Sequence, residues 1–120
     1  MRKKRILLVD DHPIVRSGIR NILDDHYEIC GEASDGLEAI QMASELKPDL
    51  VIMDVNMPIM GGLDATRKIR VLLPNTKVLV LTLNDGLAST RLAESAGAHA
   101  VLTKTASSGE ITGTIESSLS

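Results

Sequence analysis

Four short apolar runs, each followed by a polar residue, constrain this chain more than any other feature. They are Arg5–Val9, Leu50–Met53, Lys77–Leu81 and Ala100–Thr103. Runs of this length, rich in Leu, Ile and Val, are too short for helices. Their unbroken apolar character marks strands covered on both faces, as in a parallel sheet. A fifth run, Tyr27–Ala33, alternates more and contains Gly31, which marks an outer strand.

Helical spacing fills the gaps. Pro13 suits a first helical turn, and Val15, Ile19, Ile22 and Leu23 follow on one stripe. Ser34-Asp35-Gly36 reads as a turn, after which Leu37, Ile40 and Ala43 or Ser44 predict a second helix ending before Pro48. Leu63, Thr66, Ile69 and Arg70 predict a third, closing near Pro74. Leu87, Arg91 and Ser95, beside Ala88, Leu92 and Ala96, predict a fourth that stops at Gly97. Ile111, Ile115 and Leu119 predict a last helix over Ser107–Ser120, weakened by Gly109 and Gly113 at roughly 1 kcal/mol each. Strand and helix alternate five times. That order predicts an α/β fold, a doubly wound parallel sheet with right-handed crossovers. No linker or repeat divides the chain, so a single domain over 1–120 with no second domain is expected.

Composition removes several function classes. Thirteen Lys and Arg against 16 Asp and Glu give a formal charge of −3, without the basic excess of a domain that coats nucleic acid or membrane. Tyr27 is the single aromatic residue, which excludes base-stacking platforms. The basic run Arg2-Lys3-Lys4-Arg5 leads into an apolar stretch that stops at two aspartates, unlike a signal peptide. No run approaches the ~18 apolar residues of a membrane span. Cys30 is the lone cysteine, and a reduced, cytoplasmic setting is expected.

In an open parallel sheet, ligands bind beyond the carboxyl ends of the strands. There the sequence places Asp10 and Asp11 after the first strand, Asp54 after the third, Thr82 after the fourth and Lys104 after the fifth. Each has an ordinary explanation when taken singly: a helix cap, a strand residue, a solvated lysine. Together at four strand ends they point to a site. Two carboxylates ~4 Å apart repel by about 4 kcal/mol at an effective dielectric of 20, so three call for a cation. All-oxygen ligands select a hard ion such as Mg²⁺, which favours phosphate oxygens.

Four blocks carry a family resemblance: Leu7-Leu8-Val9-Asp10-Asp11-His12-Pro13, Val51 to Leu63, Leu79-Val80-Leu81-Thr82 and Leu102-Thr103-Lys104. In this order they strongly resemble the bacterial response-regulator receiver domain. The opening, with Val15-Arg16-Ser17-Gly18, is similar to the subfamily usually joined to a C-terminal helix-turn-helix DNA-binding domain. The resemblance implies a flavodoxin-like sheet of order 2-1-3-4-5 and a signalling module switched by phosphorylation, regulating an output domain or partner. It implies Asp54 as phosphoacceptor and Mg²⁺ as cofactor, held by Asp10 (mainly through water), Asp11, Asp54 and the backbone carbonyl of Asn56. It also implies that Lys104 and Thr82 bind the phosphoryl group, Thr82 as the switch. The implied partner is a sensor histidine kinase or phosphotransfer protein, with Ile14, Val15 and Gly18 as candidate contacts and Val15 fitting the core stripe equally well. A homodimer through the fourth helix, fifth strand and fifth helix is a further mode.

Some positions depart from the family pattern. Leu83 stands where a small residue is usual, Val101 where Tyr or Phe is usual, and Thr105 where proline is common. Asn84 lies where the family tunes access of water to the acyl phosphate. These departures leave a degenerate receiver, acting as a constitutive interaction module, as the alternative. A Mg²⁺-dependent phosphohydrolase is disfavoured, because Asn56 stands where its second aspartate would act as general acid. His12, His26 and His99 read as ordinary scattered histidines, the methionines as core filler or loop residues, and Glu32, Asp35, Glu38 and Glu45 as a solvated face.

Overall fold

The computed structural model describes residues 2–83 and 86–120. Among them strand and helix alternate as β1 (Arg5–Val9), α1 (Pro13–Leu23), β2 (Glu28–Ala33), α2 (Gly36–Leu46), β3 (Leu50–Asp54), α3 (Gly62–Leu72), β4 (Lys77–Thr82), α4 (Leu87–Ser95), β5 (Ala100–Thr103) and α5 (Ser108–Leu119). All pairings are parallel and the order is β2-β1-β3-β4-β5, as the family resemblance implied. The site residues Asp54 and Thr82 are the last residues of their strands rather than the first beyond them.

Successive strand residues point to opposite faces, and each face meets its own helices. Leu7, Val9, Val51, Met53, Val78 and Val80 pack with Ala39, Ala43, Ala65, Ile69 and Ala93, from α2, α3 and α4. Ile6, Leu8, Leu50, Ile52, Leu79 and Leu81 pack with Ile19, Leu23, Ile111 and Ile115, from α1 and α5. The apolar stripes expected for α1 and α5 are the ones buried. Those expected for α2 and α4 are buried only in part, at Ala43 and Ala96, with Ile40 half-buried against the same layer. Leu37, Leu87 and Leu92 are exposed, while Gly36, Ala39 and Ala43 of α2 and Ala93 of α4 are buried. Small residues on these faces let the helix backbones approach the sheet closely, and the leucines fall outside.

Two further expectations change. Asp35 is the N-cap of α2, its side chain accepting from the Glu38 N–H at 2.8 Å. The C-terminal helix, despite its glycines, starts from a reciprocal cap. The Glu110 N–H donates to Ser107 Oγ at 3.1 Å, and the Ser107 N–H donates to Glu110 Oε1 at 3.1 Å.

Candidate functional site

Strand register builds the site. Val9 lies opposite Met53 on β3, so the next residues, Asp10 and Asp54, come level at the carboxyl edge. Asp54 in turn lies opposite Leu81, and Thr82 opposite Thr103, which brings Thr82 and Lys104 to the same edge. The β3–α3 loop then closes tightly over the phosphoacceptor candidate. The Gly62 N–H donates to the Val55 carbonyl at 2.9 Å, and a Cβ on Gly62 would meet the Asp54 carbonyl oxygen at 1.9 Å. Only glycine permits that approach.

Asp10 and Asp54 are buried, at 2% and 1% exposure, and Thr82 is buried beside them. Lys104 Nζ bridges the two carboxylates, 2.9 Å from Asp54 Oδ1 and 3.2 Å from Asp10 Oδ2. The Asn56 N–H donates to Asp54 Oδ1 at 3.3 Å. On the other side, the His12 N–H donates to Asp10 Oδ1 at 2.8 Å. The His12 ring Nδ1 sits 3.0 Å from both Asp10 Oδ1 and Asp11 Oδ1. His12 therefore belongs to the acidic cluster and is not an isolated histidine.

Burial pushes the Asp54 carboxyl above the ordinary carboxylate range; Lys104 and the Asn56 N–H oppose this, and the Asp10 charge adds to it. Burial alone would lower Lys104, but Asp54, through its hydrogen bond and charge, and Asp10 outweigh it and raise the ammonium. The directions are compatible, because Asp54 is the more deeply buried partner and faces a second carboxylate. Lys104 supplies one positive charge against three acidic groups.

Asp10 Oδ2, Asp11 Oδ1 and Asp54 Oδ2 are buried and receive no hydrogen bond among the described residues. Two of these still have a nitrogen at ion-pair distance, Lys104 Nζ for Asp10 and His12 Nδ1 for Asp11, but not in hydrogen-bond geometry. Asp10, Asp11, His12 and Asp54 offer ligand atoms all within 4.8 Å of one another. Buried carboxylate oxygens without partners are costly. An oxygen-rich, negatively charged cluster of this size fits a hard divalent cation.

The comparisons agree with this geometry. Residues 6–116 match the model of the response regulator receiver domain. The chain belongs to the response-regulator receiver family. Phosphorylation-switched regulation, rather than catalytic turnover, is the general function of that family, whose members bind Mg²⁺ at an acidic pocket. The receiver is 44% identical over 110 residues to the response regulator GacA of Pseudomonas viridiflava, a match covering 89% of this chain and 51% of that protein. It is similar to a LuxR-family two-component response regulator from Aurantimonas sp. SI85-9A1, with TM-score 0.92 and 39% identity over 98% of this chain and 85% of the other. It is also similar to the signal receiver domain of the putative response regulator NarL from Mycobacterium tuberculosis, with TM-score 0.92 and 31% identity, covering 98% and 96% of the two chains. The receiver spans about half the length of the curated relatives it matches.

The remaining sequence candidates fall around this centre. Leu83 is 73% exposed, so its bulk is not packed into the acidic pocket. Val101 is half-buried against the core layer that includes Ala93. Asn84 lies outside the described residues. Ile14 is exposed at the start of α1, while Val15 and Gly18 line a groove of about 240 Å³ that Lys104 and Ala106 also border. Among the described residues, no helix is long and apolar enough to cross a membrane.

Sequence reasoning missed the polar network beneath Asp10. Glu32, expected on a solvated face, takes Arg16 Nε at 3.1 Å and Arg20 NH2 at 2.5 Å. Arg20 above all, with Arg16, holds its carboxyl below the usual range against the effect of burial. The signal was available in the spacing of Arg16 and Arg20, one turn apart on α1. His99 plays a structural part: its Nδ1 accepts from the Val78 N–H at 3.1 Å, and burial with Arg70 and Lys77 lowers its pKa.

Proposed function

We propose that Asp54 accepts a phosphoryl group from the phosphohistidine of a sensor histidine kinase or phosphotransfer protein. Mg²⁺ would be held by Asp10, Asp11, Asp54 and the Asn56 carbonyl. The observation that carries this reading is the Asp54 carboxylate itself. Its Oδ1 is tethered by Lys104 and the Asn56 N–H, its Oδ2 has no hydrogen bond among the described residues, and two further carboxylates flank it. An anchored carboxylate with one open oxygen, beside a cation site, is a positioned nucleophile. A new O–P bond forms as the partner's P–N bond breaks, and that electron pair returns to the imidazole. The metal supplies neutralisation of charge on the carboxylates and phosphoryl oxygens.

Lys104 would follow the negative charge from Asp54 onto the phosphoryl group. Thr82, buried at the adjacent strand end, would donate its hydroxyl to that group and carry the response toward α4. The kinase or phosphotransfer partner would meet Ile14 and the groove beside Val15 and Gly18, close to Lys104. The output would be a partner or a further domain regulating transcription, as in relatives named transcriptional regulators. Incubation with a small-molecule phosphodonor and Mg²⁺ tests the reading. One phosphoryl adduct on Asp54 is expected, labile to alkali and to hydroxylamine as an acyl phosphate is, and lost in Asp54→Asn. An unmodified Asp54 at saturating donor contradicts it and favours a constitutive interaction module.

A further inference from the structure

We propose that Arg16 is a positioning residue for the cation site, fixing the Asp10–Asp11 peptide and thereby aiming the Asp11 carboxylate. The proposal rests on the reading of Asp10, Asp11 and Asp54 as metal ligands. Arg16 NH1 donates to the Asp10 carbonyl oxygen at 2.5 Å, and its Nε donates to Glu32 Oε1 at 3.1 Å. Its side chain is only 19% exposed. The planar guanidinium is held at both ends, by the strand end and by β2. Glu32 is itself held by Arg20 through Nε at 3.1 Å and NH2 at 2.5 Å.

Peptide planarity turns this contact into control of Asp11. The Asp10 carbonyl shares a rigid plane with the Asp11 nitrogen and Cα. The other side of Asp10 is already tied, since its N–H donates to the Ala33 carbonyl at 3.0 Å. Arg16 completes the clamp, so Asp11 leaves the strand in one direction. Among the described residues Asp11 Oδ1 receives no hydrogen bond, so its aim is set by the backbone that carries it together with the His12 ring 3.0 Å away. Partners that orient metal ligands in this way alter metal affinity by about 10–100-fold when removed.

The sign of the effect separates positioning from charge. Arg16 is a cation beside an acidic cluster, so simple electrostatics makes its removal favour Mg²⁺ binding. Positioning makes its removal weaken binding. The test compares Arg16→Gln, Arg16→Lys and Arg20→Gln by Mg²⁺ titration followed through backbone amide shifts, with thermal unfolding of the metal-free proteins alongside. Arg16→Lys keeps the charge but cannot span the Asp10 carbonyl and Glu32 as a fork. Arg20→Gln loosens Glu32 without touching Asp10. Both Arg16 variants are expected to weaken Mg²⁺ about tenfold, and Arg20→Gln to change it by less than about twofold. Tighter or unchanged binding in the Arg16 variants overturns the proposal, as does equal weakening in Arg20→Gln, which indicates general loosening of α1. If the wild-type protein binds no Mg²⁺, the metal-site reading fails first and the proposal falls with it.

Discussion

The two sides of the acidic site are built differently. On the β1–α1 side, Asp10 is held through its N–H, its carbonyl and both carboxylate oxygens, by Ala33, Arg16, His12 and Lys104. Behind it, α1 buries Ile19 and Leu23 and is pinned to β2 through Glu32. On the β4–α4 side, Thr82 leads into Leu83, which stands in solvent. Ala93 is the one residue within α4 that is buried, while Leu87 and Leu92 are exposed. On the proposed function, a site that holds a cation on one side and registers an added phosphate on the other would gain from this asymmetry. The proposed metal side is tied by several contacts, while few residues of α4 are buried on the proposed responding side, where local rearrangement costs least.

The largest expected effect lies on the rigid side. Gly62→Ala would drive a methyl group into the Asp54 carbonyl, and a loss of about 3 kcal/mol is expected in urea unfolding. A loss below about 1 kcal/mol would mean that the loop over Asp54 gives way easily, which removes the contrast. Next comes the metal. At 100 times its dissociation constant, Mg²⁺ should stabilise the protein by about 2.7 kcal/mol through binding the folded state alone. Asp11→Ala should erase that gain while leaving the metal-free fold intact, since it removes a repelling charge. Equal Mg²⁺ affinity in wild type and Asp11→Ala rules out the site.

A smaller effect follows from Glu32. Its folded pKa is depressed, so its contribution is present above the unfolded carboxylate value and is lost as the pH falls through the folded one. Glu32→Gln should therefore lower stability by about 1 kcal/mol at neutral pH, discounted for partial exposure, and flatten the acid limb of the stability profile. An unchanged acid limb would show that the α1–β2 pinning contributes nothing. Smallest of all, Leu92→Gln on α4 should stay within about 0.5 kcal/mol of wild type in thermal unfolding. A larger loss would show that α4 is packed more firmly than its exposed leucines indicate.

Strand positions and the charged residues at their ends were legible because each polar side chain interrupts a run of Leu, Ile and Val. The α1 and α5 faces were legible for a related reason: large β-branched and leucine side chains there fill the space against the sheet. The α2 and α4 faces were legible only in part, through Ala43 and Ala96. Hydropathy ranks Leu37, Leu87 and Leu92 above Ala39, Ala43 and Ala93, yet close helix–sheet approach admits only the small residues. Gly36 shows the same limit. A Cβ there would come within 2.4 Å of the Met60 carbonyl, a contact between segments that local pattern does not reveal. Asp10, Asp54 and Lys104 were readable as a constellation, whereas Arg16 and His12 act through the backbone and side chain of Asp10, and such contacts leave no periodic trace. Asp35 and Ser107 did carry a visible signal, a capping residue with Glu three positions later, which was passed over.

The central claim, a fixed metal side and a yielding phosphate side around Asp54, is tested most directly by stepwise amide-shift mapping. Mg²⁺ is added first, and a beryllofluoride mimic of the phosphoryl group second. The first addition should perturb Asp10 to Pro13 neighbours and Asn56 while leaving Leu87 to Ser95 unchanged. The second should perturb Thr82, Leu83 and the first turn of α4 with little further change at Asp10 and Asp11. Saturation of the Asp54 site with α4 unmoved, or with the largest shifts on α1, would contradict the account.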